Sequence, residues 1–400
     1  MLRFLTAGES HGPSLTGILD GIPAGLPLTS AAVDHELARR QQGFGSGGRM
    51  KIERDHARIT SGVLGGQTTG GPIALVLQNL DHEKWRERQI EPMTIPRPGH
   101  ADLSGALKFG HRELRLSLER ASARETAMRV AVGAVCRALL QELGVQVGGY
   151  VLQIGGVGIP REAAPEAALP TPSVEEYLSR FATAEASPVR CYDAAAAALM
   201  SQRIHDTIRA KDTLGGLVEC VALGVPAGLG SFSQWDQRLS ASLAQAVMSI
   251  QAVKGVELGD GFASAARLGT QAQDPYFLDG ERIVQRENHS GGLEGGISTS
   301  APLVIRAAFK PIATTLTPQP SVDLATGAQA HTQYERSDFC QVPRAVPIVE
   351  AMVCFVLAQA LLQKLGGDSL AEIRPRLATL RKPRLSDLPM SNAPWSFGYE

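Results

Sequence analysis

No stretch of this chain before about residue 365 reads as a linker. Apolar segments recur without a Pro/Ser-rich or charged interruption, so most of the 400 residues must share one core. Length alone permits two or three domains, but the continuity points to one large domain, 1–370, followed by an irregular Pro-rich tail, 371–400. Strand-like pieces such as Ala74–Leu77, Val218–Leu223 and Leu303–Ala307 alternate with helical ones, and no glycine-rich fingerprint follows the first strand. The fold class is α+β, not a dinucleotide fold. The clearest helix is expected to start at Ser122. There Ser122-Ala-Arg-Glu125 has the capping-box spacing, and Ala127, Val130, Ala131, Ala134, Val135, Ala138 and Leu139 follow on one face. Other helices are expected over 29–41, 194–209, 239–252 and 346–365, with an irregular loop over 155–172.

Charge and composition narrow the partners. The chain has 39 Lys plus Arg against 40 Asp plus Glu, and aromatics make up 5%, so neither a polyanion-attracting field nor a set of stacking platforms is present. Nucleic acid and acidic membrane surfaces are not expected partners. Five scattered cysteines form no Cys-x-x-Cys pair, which argues for reduced thiols and no metal. Glu9 and His11 precede any long apolar stretch, unlike a signal peptide, and the most span-like segment, 345–362, carries Pro347, Glu350 and Gln359. A cytoplasmic protein without a membrane span is the expectation. Glycine, at 42 residues, is about a tenth of the chain against a usual roughly 7%, so backbone loops should do much of the recognising.

Two histidines sit beside glycines, where a ligand can come close: His11 in Gly8-Glu-Ser-His-Gly12 and His100 in Arg97-Pro-Gly-His-Ala-Asp102. A turn in which Ser10 and His11 bond only local backbone would account for the first pattern equally well. His35, His56, His82, His205 and His331 lie among polar residues and read as solvated. Cations cluster although the total is balanced. Arg39, Arg40 and Arg49 flank the loop Gly43-Phe-Gly-Ser-Gly-Gly48, and Arg120 and Arg124 flank the expected helix start at Ser122, whose free N–H groups favour a phosphate. Lys310-Pro-Ile-Ala-Thr-Thr315, Gly291-Gly-Leu-Glu-Gly-Gly296 and Arg336-Ser-Asp338 add a lysine, backbone donors and a guanidinium next to a carboxylate. Each alone fits a surface turn; together they describe a cleft for a ligand with several anionic groups.

These segments resemble the chorismate synthase family. The matching patterns are Gly8-Glu-Ser-His-Gly12, Arg97-Pro-Gly-His-Ala-Asp102, Glu119-Arg-Ala-Ser-Ala-Arg-Glu-Thr126, Val225-Pro-Ala-Gly-Leu-Gly230, Met248-Ser-Ile-Gln-Ala-Val-Lys-Gly-Val-Glu257 with Gly259-Asp-Gly261, and Gly291-Gly-Leu-Glu-Gly-Gly296. No one of them is diagnostic, but so many in order is specific. The resemblance implies helices sandwiched between antiparallel sheets, a homotetramer, and anti-1,4-elimination of phosphate from 5-enolpyruvylshikimate 3-phosphate to give chorismate, a shikimate-pathway step towards the aromatic amino acids. It also implies reduced FMN without net redox change, the flavin lending electron density and its N5 receiving the ring hydrogen.

By the same resemblance His11 protonates the departing phosphate, and His100 sits by the flavin. Asp338 relays the abstracted hydrogen and Ser10 orients it. Arg120, Ala121, Ser122, Gln251, Ala252, Gly295, Lys310, Pro311, Ile312, Ala313, Thr314 and Arg336 would hold the flavin. Arg40, Arg49 and Arg124 would meet the substrate's phosphate and carboxylates, with Arg40 also placed where relatives contact NADPH. Ser46 departs from the family, many members of which carry arginine there. NADPH is expected only as a reductant of the flavin, through a separate reductase, since no dinucleotide fingerprint is visible. A flavin oxidoreductase that passes electrons onward, and a non-catalytic anion-binding module, are the competing readings. The second leaves the two glycine-flanked histidines and Asp338 unexplained.

Overall fold

The computed structural model describes residues 1–45, 54–159, 171–335 and 338–398. Strands Arg3–Ala7, Ser14–Asp20, Ile73–Gln78 and Ala57–Ser61 lie side by side in that order as one antiparallel sheet. Its alternation is visible in burial: Leu15, Leu19, Ile73, Leu75 and Leu77 face the core, whereas Leu5 and Ile18 face outward. A second antiparallel sheet orders Val253–Leu258, Leu303–Phe309, Gly216–Leu223, Gln146–Ile154 and Val157–Gly158. Val218–Leu223 is buried at every position, because the sheet is covered on both faces.

Between the sheets lie the helices Ser30–Gln41, Thr126–Glu142, Leu239–Met248 and Val342–Leu365. Thr126–Glu142 packs on the first sheet, Val342–Leu365 on the second, and the two helices pack on each other. One continuous apolar core runs from Leu2 to Ile373, so the chain is an α+β single domain with helices sandwiched between antiparallel sheets. Among the described residues Val342–Leu365 alone is long and apolar enough to cross a membrane, but 78% of its apolar window is buried inside the protein. Its Glu350 pairs with Arg39 and Arg137, and Gln359 donates to the Leu2 carbonyl at 2.8 Å.

The two central helices meet where Gly133 faces Ala351. A Cβ at Gly133 would lie 2.3 Å from the Ala351 Cβ and 2.6 Å from its Cα, and that backbone cannot swing aside. Overpacking of this kind costs about 1–3 kcal/mol, more than the roughly 1 kcal/mol of helix propensity that alanine would add. Gly133→Ala is therefore expected to lower the urea midpoint. A raised midpoint would mean that the helices do not approach this closely in solution.

Several elements differ from the sequence expectation, each for a local reason. The capped helix begins at Thr126, not at Ser122. Ser122 Oγ accepts from Arg124 N at 3.3 Å and caps a short 3-10 turn, Ala123–Glu125. Glu125 instead accepts from Thr6 Oγ1 at 2.8 Å, Arg129 Nε at 2.9 Å and Gln251 Nε2 at 3.1 Å, so tertiary partners occupy the carboxylate that the capping box required. Leu239–Met248 stops short of Ala252, which has φ +69° and turns the chain into the strand at Val253. The long helix starts at Val342, ahead of the expected 346, with Pro343 in its first turn, a position that tolerates proline. The segment 371–400 is not irregular throughout. A helix, Leu370–Ala378, is capped by Ser369 and buries Leu370 and Ile373 despite Pro375.

Candidate active site

Two cavities adjoin, of about 380 Å³ and about 250 Å³, and Arg97, His100 and Ser122 line both. The larger gathers Arg40, Ala121, Ser122, Arg124, Gln251, Ala252, Lys310, Pro311, Ile312, Ala313, Thr314, His100 and Asp338 from segments far apart in sequence; Ser10 and His11 line the smaller. Arg120 and Gly295 line neither. Arg120 lies in the last turn of the helix Arg115–Ala121, and its guanidinium turns away to Thr6, donating to the carbonyl at 3.0 Å and the hydroxyl at 2.9 Å. Gly295 sits in the tight turn between Leu293–Glu294 and Ile297–Ser298. In the same loop the Gly291 and Gly292 N–H groups are taken by Asn288. Arg49, Arg336 and Ser46 lie outside the described residues.

His11 is held at three points. It occupies a turn after the first strand, closed by Gly12 N–H to the Glu9 carbonyl at 3.3 Å. Its Nδ1 is 2.7 Å from Glu119 Oε1, its own N–H donates to Glu119 Oε2 at 2.8 Å, and its carbonyl is 2.9 Å from His82 Nδ1. His82 is thus half-buried, unlike the exposed His35, His56, His205 and His331. The Trp85 ring lies against the His11 imidazole with centroids 4.2 Å apart. Ser10 is buried, and Ser122 Oγ donates to its hydroxyl at 3.2 Å.

His100 belongs to a compact ion cluster. Its Nδ1 is 2.5 Å from Asp102 Oδ1, and Arg97 grips the same carboxylate through Nε at 2.8 Å and Nη2 at 2.9 Å. Burial opposes ionisation of Asp102, but the hydrogen bonds from Arg97 and His100 outweigh it and hold the carboxyl well below its ordinary value. A carboxylate so fixed orients the His100 ring and leaves Nε2 as its second nitrogen. Arg97 also reaches Thr314 Oγ1 at 3.2 Å, tying this cluster to the Lys310–Thr314 wall.

Among the described residues lining the larger cavity, Arg40, Arg97, Arg124, Lys310 and Arg344 are cationic and Asp338 alone is acidic. Behind them buried Asp55 pairs with Arg124 at 2.7 Å and with Arg40 at 3.7 Å, and Asp338 pairs with Arg344. Among the described residues the carboxylates are fewer than the cations. Burial, then Arg344 and Arg124, push the Arg40 guanidinium down to about 9, and burial and Lys254 lower Lys310. An anion entering the cavity would relieve both, which is what a site for anionic ligands requires. Arg40 is aimed by Thr126 Oγ1 at 2.9 Å and the Ala123 carbonyl at 3.1 Å, and Lys310 by the Gly99 carbonyl.

Residues that sequence reasoning left out complete this wall. Arg344 lies in the first turn of the long helix, where the helix dipole disfavours a cation, and that mismatch is the signal that could have found it. Glu119 and Asp102 lie within the Glu119–Thr126 and Arg97–Asp102 segments, but their pairing with the histidines appears only in three dimensions.

A family model described as chorismate synthase matches residues 2–362. The chain belongs to the chorismate synthase family. A chorismate synthase from Trichlorobacter lovleyi is 52% identical over 390 residues, covering 93% of this chain and 97% of the relative. One from Chlorobaculum tepidum is 48% identical over 396 residues, covering 95% and 98%. A solved structure titled as that of a chorismate synthase superposes with a TM-score of 0.77 at 41% identity, covering 94% of this chain and 96% of its own. The family implies a lyase acting on a small molecule with a flavin cofactor.

Proposed function

We propose that this chain is a carbon–oxygen lyase that converts 5-enolpyruvylshikimate 3-phosphate to chorismate, with reduced FMN in the larger cavity. The observation that carries the reading is a cavity wall with more guanidinium and ammonium groups than counter-charge, adjoining a second cavity that presents a doubly anchored histidine. A phosphorylated dicarboxylate matches that surplus.

The residues present fit a flavin. The cavity volume of about 380 Å³ lies within the roughly 300–1,000 Å³ usual for small-molecule sites. The Gln251 side chain offers a buried Oε1 with no partner among the described residues. Next to it Ala252 holds a left-handed conformation, the kind of strain that collects at ligand sites. Ala121, Ser122, Gln251, Ala252 and Lys310–Thr314 would hold the cofactor, with Arg336 and, if the loop carrying it closes on a neighbouring copy, Gly295. Bound reduced FMN supplies transient electron density to the substrate ring while the phosphate ester breaks.

The chain's own groups do the rest. Arg40, Arg124 and Arg344 fix the anionic groups, with Arg49 as a further partner, and turn the ester towards His11. His11 delivers a proton to the phosphate oxygen, so the leaving group departs with less charge. His100, aimed by Asp102, would offer its second ring nitrogen to the flavin and hold it in the protonation state it needs. Asp338 would relay the ring hydrogen onward once it has been abstracted, and Ser10, hydrogen-bonded to Ser122, would orient it. The same reading makes the protein a cytoplasmic homotetramer that receives FMN already reduced by a separate reductase, NADPH serving only as reductant. Five free, buried cysteines suit that compartment. Leu5 and Ile18, paired across the outer sheet face and 75% and 44% exposed, offer an apolar surface to a second copy.

The deciding experiment is anaerobic, with photoreduced FMN and 5-enolpyruvylshikimate 3-phosphate, following phosphate and chorismate together. Equal yields with reduced flavin and none with oxidised flavin are expected. No product from folded, FMN-binding protein would overturn the reading in favour of a flavin oxidoreductase.

A further inference from the structure

We infer that Glu119 is a positioning residue that fixes the tautomer and the aim of His11, an inference that rests on His11 being the group that handles the proton of the leaving phosphate. The geometry is that of a clamp. One carboxylate oxygen of Glu119 takes His11 Nδ1 at 2.7 Å and the other takes the His11 backbone N–H at 2.8 Å, so ring and backbone are locked to the same planar group. The carboxylate is itself held on the helix Arg115–Ala121, and the Glu119 carbonyl accepts Ser10 N–H at 3.1 Å. Trp85 closes one face of the ring at 4.2 Å between centroids, and His82 fixes the His11 carbonyl.

Chemistry follows from which nitrogen is occupied. An ionised carboxylate only accepts hydrogen bonds, so Nδ1 must carry a hydrogen facing Glu119, and Nε2 becomes the nitrogen that gains and loses the working proton. Without Glu119 the neutral ring can place its hydrogen on Nε2 and rotate against Trp85, and the basic lone pair then no longer points where the phosphate leaves. The His11 and Glu119 side chains are about one-fifth exposed, at 20% and 19%, so bulk water reaches the pair only partly and does not substitute for the clamp.

The test uses the full-length protein and the imidazole nitrogens of His11, assigned by comparison with His11→Ala and followed by 15N-resolved NMR without substrate. Wild type should show a protonated Nδ1 and a basic Nε2 in the neutral ring. Glu119→Ala should shift the population towards the Nε2–H form, and Glu119→Gln, which retains one acceptor oxygen, should fall between. In the elimination assay kcat should drop by roughly tenfold to a thousandfold for Glu119→Ala, less than the roughly hundredfold to ten-thousandfold that the acid–base group itself contributes. KM should stay within about twofold, with partial recovery in Glu119→Gln. A wild-type ring already carrying its hydrogen on Nε2, or variant spectra indistinguishable from wild type, would overturn the inference. Because the spectra need no substrate, that failure is separate from any failure of the elimination itself. Glu119→Gln carries the test if Glu119→Ala does not fold.

Discussion

His11→Ala is expected to lower turnover in the anaerobic elimination by roughly two to four powers of ten, the usual contribution of one positioned acid–base group. The reason is the leaving group. Phosphate departing without a proton carries the full charge of the broken ester, and His11 combines a titratable ring and a fixed aim with a place on the smaller cavity and not the larger. FMN affinity should be nearly unchanged, because Ala121, Ser122, Gln251, Ala252 and Lys310–Thr314 line the larger cavity and His11 does not. His100→Ala should behave differently. His100 lines both cavities and shares Asp102 with Arg97, so its loss should weaken flavin binding as well as slow turnover. Fluorescence titration of FMN beside the rate measurement separates the two effects. A His11→Ala protein with wild-type turnover would remove the proton-donor role, and identical FMN affinities for the two variants would remove the division between the cavities.

What could be read from sequence depended on how local the cause was. The helix Ala194–Arg209 matches its expected bounds, because Asp193 caps the Ala196 N–H at 2.7 Å and nothing distant competes for that cap. The neighbouring case failed for the opposite reason, since Glu125 has the spacing for a capping box but is claimed by Thr6 and Gln251 across the core. Pro375 hid the helix at Leu370 because a proline argues against helix unless burial overrides it. In the site, His11, His100, Arg40, Arg124 and the Lys310–Thr314 run were legible as unusual residue types in glycine- or cation-rich company, and they do line the adjoining cavities. Their partners were not legible. Glu119 is 108 positions from His11 and Asp55 is 69 from Arg124, so only the packing of the sandwich brings them together.

Glu350→Ala should be the most damaging substitution outside the cavities. Glu350 is fully buried in the long helix, and its carboxylate receives Arg39 Nη1 at 2.7 Å and Arg137 Nη2 at 2.6 Å. Removing it leaves Arg137 with only Glu36 at 3.5 Å among its described carboxylate partners, whereas Arg39 keeps Glu36 at 2.7 Å and Glu185 at 2.9 Å. Breaking a buried pair from one side costs about 3–5 kcal/mol, a large share of the roughly 5–15 kcal/mol that holds a domain folded. Glu350→Gln, which keeps the shape and one acceptor, should cost less. Activity should fall with stability, because the network fixes the end of the helix Ser30–Gln41. Arg39 belongs to it, Arg40 next in sequence points into the cavity, and Arg190 ties the Arg39 and Pro343 carbonyls together at 2.6 Å and 2.8 Å. The same carboxylate is one source of acid sensitivity. Burial alone would raise its pKa, but Arg39 and Arg137 lower it below the ordinary 4.5. A group depressed in the folded state stabilises fully above its unfolded pKa and loses that contribution as pH falls towards the folded one. Wild type should therefore lose urea stability as pH drops below about 4.5, and Glu350→Gln should show a shallower fall over the same range. Equal slopes in the two proteins would mean that Glu350 is not a source of the acid sensitivity.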